Sequence, residues 1–96
     1  MKKLVLLVAL VGCGGPYMPM ATEADGARAS STADELNRGR TLLLSDCKSC
    51  HQPPSPRDLR AADWPSQVEE MRERAHVSPP DAEAITRYLV TFASEP

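Results

Sequence analysis

Residues 47–51 read Cys47-Lys48-Ser49-Cys50-His51, two thiols three positions apart followed at once by an imidazole. No other feature limits the fold so strongly, because so little else is available to hold a fold together. The chain has 96 residues with one Trp, two Tyr and one Phe. It has room for one small domain, which excludes multi-domain enzymes and large α/β folds. A folded part of about sixty residues is marginal alone and usually carries a disulfide, a metal or another staple. Nine prolines and five glycines favour short helices joined by loops. Few β-branched or aromatic runs disfavour a sheet.

Four chemistries use this spacing. A redox dithiol of the thioredoxin kind needs a βαβ setting, which the chain lacks. Zinc needs a fourth ligand, and His76 is the only histidine left to supply it. A structural disulfide between Cys47 and Cys50 is the third reading. The fourth, covalent haem, explains the adjacent histidine as well. Two thiols on one turn can meet both vinyl groups of one porphyrin edge, and the imidazole then swings beneath the ring toward the iron. This reading gives one haem c, with Cys47 and Cys50 as attachment points and His51 as proximal ligand.

The N-terminus begins Met1-Lys2-Lys3, and residues 4–11 contain no polar side chain. Eight residues rise only about 12 Å as a helix, far short of the roughly 30 Å hydrocarbon core. A basic start, a short apolar stretch and a small residue describe an export signal. Leu10-Val11-Gly12-Cys13 resembles the lipobox of bacterial lipoproteins. That resemblance implies a signal peptide over 1–12 and a lipidated Cys13 anchored in a bilayer. Three acyl chains would hold it essentially permanently, since each buried methylene contributes about 0.8 kcal/mol. Gly14 follows in place of an aspartate, which by the same resemblance favours the outer membrane and places the protein on the periplasmic side. The cysteine count then closes: one for lipid, two for haem.

Residues 14–33 are rich in Gly, Ala, Ser and Pro and show no apolar period. They read as a disordered tether, so 13–33 is expected to be lipidated cysteine plus linker. Such a tether averages about 25 Å end to end and stretches to roughly 70 Å. Met18 and Met20 fall inside it and read as plain linker residues. Without Lys2 and Lys3 the chain carries 9 basic and 13 acidic residues. That balance argues against nucleic acid as a partner, which would call for a clustered basic face.

The domain proper is expected over 34–96, all-α, with three helices. Thr32 and Glu35 form a capping box for a helix over 33–46, with Leu36, Gly39 and Leu43 on one stripe and Leu42 beside it. The run Gln52-Pro53-Pro54-Ser55-Pro56 cannot be helical. Asp63 is placed to cap a helix over 64–75, with Pro65 in its first turn and Trp64, Val68, Met71 and Ala75 on one face. Ser78 caps the last helix, with Asp81 at N3 and Ile85, Tyr88, Leu89 and Phe92 repeating at helical spacing.

Around the haem motif the chain resembles the class I cytochrome c family. Its members carry a glycine eight residues before the first cysteine and a bulky apolar residue four before it, here Gly39 and Leu43. Their last helix packs an aromatic-leucine pair on that glycine, and Ile85-Thr86-Arg87-Tyr88-Leu89 has this form. The resemblance spans about 34–93 and implies a cytochrome c-like three-helix domain around the haem. It departs on the distal side. The family's axial methionine usually precedes the last helix, but His76-Val77-Ser78-Pro79-Pro80 contains none. Met71, in the preceding helix, is the favoured distal ligand. His76 and a vacant sixth position are the alternatives, and core filler remains a reading of Met71. The Pro56 carbonyl is the expected acceptor for the His51 Nδ1 proton. Trp64 is expected to pack on the porphyrin, or to donate its N–H to a propionate. Arg57 or Arg60 is the candidate propionate partner.

These features imply an electron-transfer protein and not an enzyme, since no acid, base or nucleophile is evident. Its partners would be other redox proteins. The competing readings are a haem-based sensor or ligand binder, and an accessory haem subunit of a larger oxidoreductase.

Overall fold

The computed structural model describes residues 17–46 and 53–94. The chain there is all-α, with no strand among the described residues. It contains α1 (Glu23–Arg28), α2 (Ala33–Asp46), 3₁₀ turns at Pro56–Asp58 and Ala61–Asp63, α3 (Trp64–Ala75) and α4 (Pro79–Phe92).

Local chemistry sets most of the boundaries. Thr32 Oγ1 accepts the Glu35 N–H at 3.1 Å. The return half of that box is diverted, because the Glu35 carboxylate takes the Ser31 hydroxyl at 2.6 Å. Ser78 Oγ accepts the Asp81 N–H at 3.4 Å, with both prolines in the first turn of α4. Asp63 corrects the expectation for α3. Its backbone is already helical (φ −92°, ψ −15°) and its side chain makes no capping bond. The 3₁₀ turn that ends at Asp63 leads straight into α3, and the Asp63 carboxylate lies 3.7 Å from Arg60 Nε instead. The helix stops at His76, whose φ of 57° turns the chain so that the next N–H, that of Val77, returns to the Arg72 carbonyl at 3.0 Å.

The expected apolar stripes do converge. Leu36, Leu43, Trp64, Val68, Ile85, Tyr88, Leu89 and Phe92 are buried together, while Met71, Ala75 and Leu42 pack against them partly exposed. Each large side chain withdrawn from water contributes about 1.5–3 kcal/mol. α2 and α4 come close together at Gly39. A Cβ there would run into the Ala84 carbonyl oxygen and stand 3.0 Å from the Tyr88 Cβ. The missing side chain is what lets these two helices cross so tightly.

Residues 17–33 correct the expectation of a disordered tether. Asn37 brackets Ala21, its Oδ1 accepting the Ala21 N–H at 2.8 Å and its Nδ2 donating to the Ala21 carbonyl at 3.1 Å. Arg40 Nε donates to the Met18 carbonyl at 3.0 Å, and the Ser55 hydroxyl donates to the Tyr17 carbonyl at 2.9 Å. Thr22 and Asp25 then form a full capping box that starts α1. Gly26 sits so close to the start of α2 that a Cβ would lie 2.7 Å from the Ala33 nitrogen. Side chains from later in the chain order this segment by binding its backbone, so it needs no apolar period of its own. Met18 packs against the core, whereas Met20 is 61% exposed. The packed unit therefore includes residues from 17 onward, not only from 34. No helix among the described residues is long and apolar enough to cross a membrane.

Candidate functional site

Cys13, Cys47, Cys50 and His51 lie outside the described residues. The site is therefore built from what flanks the motif: the end of α2 on one side and the proline loop from residue 53 on the other.

That loop is held from within. Ser55 is buried, and its backbone N–H donates to Asp58 Oδ2 at 2.9 Å. Its hydroxyl accepts the Arg57 N–H at 3.3 Å. Pro56 is fully buried, and its carbonyl accepts the Trp64 indole N–H at 3.0 Å. The indole bond corrects one expectation: the Trp64 N–H is used inside the protein, where it would otherwise be orphaned on burial, and is not held out for a propionate. It also takes one of the two lone pairs of the oxygen expected to receive the His51 proton. Arg57 and Arg60 are both exposed. The Arg57 guanidinium lies 4.1 Å from the Tyr17 ring centroid, and Arg60 faces Asp63.

Beside this loop is a cleft of ≈ 270 Å³ lined by Pro54, Asp58, Leu59, Trp64, Gln67 and Met71. Its volume is near the lower end for small-molecule sites. Two residues singled out from the sequence, Trp64 and Met71, meet here because seven residues is two helical turns. Trp64 is only 1% exposed, so the ring anchors the wall and offers little of itself to the cleft. Met71 is half-buried. It also borders a small void of ≈ 10 Å³ with Val68, Arg72, Val77 and Ile85, so it stands between core and cleft. His76 is exposed at the left-handed end of α3 and lines neither space.

The cleft supplies a soft thioether, apolar walls from Pro54 and Leu59, and the polar side chains of Asp58 and Gln67. Of these lining groups, the thioether is the one with the chemistry of a soft metal ligand. The described residues contain no cluster of three His, Cys, Asp or Glu side chains that could hold a metal ion. All buried side-chain polar atoms among them have partners. The part played by Pro54, Leu59 and Gln67 was not read from the sequence. Only the proline-rich composition of the loop hinted at a rigid wall there. Comparison with protein-family models, curated proteins and solved structures finds no match to this chain.

Proposed function

We propose that the protein is a lipid-anchored, monohaem c-type cytochrome that passes single electrons between redox partners on the periplasmic side of a bacterial membrane. The reading includes a class I cytochrome c-like domain and favours the outer membrane. The observation that carries it is the Met71 side chain lining a largely apolar cleft beside the loop that continues from Cys47-Lys48-Ser49-Cys50-His51. The tight crossing at Gly39 is further support.

In this reading Cys47 and Cys50 hold the haem covalently, His51 is the proximal ligand and Met71 the distal one. Bound haem supplies an iron that exchanges one electron, and His/Met ligation raises its potential. The chain's own work is positional. Trp64, pinned to Pro56, fixes the start of α3 and hence the azimuth of Met71 two turns later. Pro54 and Leu59 give that side of the cleft an apolar wall. No proton transfer or nucleophile is required, so no residue is assigned a catalytic role. The test is Met71→Ala in haem-loaded protein. It should lose the sulfur-to-iron charge-transfer band of the oxidised form and bind carbon monoxide promptly when reduced, with the same change absent in His76→Ala. An unchanged Met71→Ala spectrum would refute the ligand assignment.

A further inference from the structure

Cys13 and Tyr17 are four positions apart. Even fully extended, that stretch spans at most about 14 Å, a fraction of the reach expected of a tether running to residue 33. Residues 17–21 are fastened to the domain by Ser55, Arg40, Tyr88 and Asn37. A lipid anchor at Cys13 would hold the face around Tyr17 within that distance of the bilayer and keep the far side of the domain away from it.

The exposed side chains of the segment that follows this link, with Arg57 beside them, suit the encounter. Tyr17 is 40% and Met20 61% exposed, two of the three large apolar side chains open to solvent among the described residues. Arg57 lies over the Tyr17 ring and presents its charge there. An amphipathic ring, a thioether and a guanidinium together place apolar bodies inward and polar tips among headgroups, and a guanidinium recognises phosphate oxygens. The opposite side of α2 has another character. By the helical turn, Asn37 and Arg40 point away from Glu35 and Arg38. Glu35 and Arg38 line a groove with Glu83 and Arg87 in which each charge has an opposite charge nearby.

We propose that the phospholipid surface carrying the Cys13 lipid is a docking partner of the folded domain, engaged through Tyr17, Met20 and Arg57. The proposal rests on the lipid-anchor reading. Because Ser55 binds the Tyr17 carbonyl and its neighbour Pro54 lines the cleft, docking places one wall of the cleft beside the membrane.

The test uses the protein as extracted from membranes, returned to phosphatidylcholine–phosphatidylglycerol vesicles containing a lipid with a headgroup diazirine. A second form carries a long Gly-Ser insertion between Gly15 and Pro16. After illumination, labelling at each residue is compared between the two forms by peptide mass spectrometry, with intact mass recording acylation of both. The expected result is labelling of Tyr17, Met20 and Arg57 several-fold higher in the native form, with Glu83 and Arg87 low in both. An acylated native sample labelled evenly on both faces overturns the docking alone. Equal labelling in the two forms overturns the short link as its cause. A sample without acyl chains overturns the anchor and the docking together.

Discussion

The phenolic hydroxyl of Tyr88 donates a 2.7 Å hydrogen bond to the carbonyl of Pro19, joining the last helix to a residue 69 positions earlier. The same residue is fully buried, packs its ring at 5.1 Å on that of Phe92, and sets its Cβ against the helix crossing at Gly39. One side chain thus binds three parts of the fold: the N-terminal segment, the α2–α4 crossing and the end of α4.

Tyr88→Phe keeps the ring and removes the hydroxyl. Loss of that hydrogen bond should destabilise the domain by about 0.5–1.5 kcal/mol, read as a lower urea midpoint. Burial also pushes the Tyr88 hydroxyl up to about 12, against the partial relief given by Arg40. A group whose folded pKa lies above its unfolded value of 10.0 contributes stability that is intact below pH 10 and lost as pH rises toward 12. Wild-type stability should therefore fall across that window, and Tyr88→Phe should remove this part of the fall. A variant with the same alkaline profile as wild type would contradict the assignment.

Gly39→Ala sets two effects against each other. Helix propensity favours alanine by about 1 kcal/mol. The new methyl would meet the Ala84 backbone oxygen, which moves only if α4 moves. Overpacking of this kind costs about 1–3 kcal/mol, and a backbone obstacle puts it at the upper end. The net expectation is a loss of stability of about 1–2 kcal/mol. Chemical denaturation with an unchanged m-value checks it, and a stabilised variant would show the crossing to be looser than described.

The helical part was legible because it is written in local chemistry. Proline loops, serine and threonine caps, and stripes at Leu36–Leu43 and Ile85–Phe92 each act within a few residues, so helices over 33–46 and 64–75 follow from spacing alone. Residues 17–33 were not legible for the complementary reason. Their order depends on Asn37, Arg40, Ser55 and Tyr88, polar groups whose partners are backbone atoms far away in sequence. Composition registers such a segment as linker. At the site, Trp64 and Met71 were found because helical periodicity places them together. The destination of the indole N–H was missed, because a nearby backbone carbonyl is invisible to side-chain patterns.

Trp64→Phe should expose the weight of that indole bond. The Pro56 carbonyl would lose its donor in a buried setting, which costs about 1–3 kcal/mol apart from the lost ring contacts. The loop should loosen first, read as faster amide exchange at the Arg57 and Asp58 N–H groups than at those in the middle of α4. Equal protection in wild type and variant would mean that Ser55 and Asp58 alone hold the loop.

The covalent cofactor is the claim on which the functional account stands, and intact mass with an absorption spectrum tests it most directly. Protein should be taken from cells with a working cytochrome maturation system and denatured before measurement. The account predicts a red product whose mass includes one haem and acyl chains at Cys13, with no free thiol at Cys47 or Cys50. Colourless protein at the bare peptide mass, with both thiols open to alkylation, would contradict it.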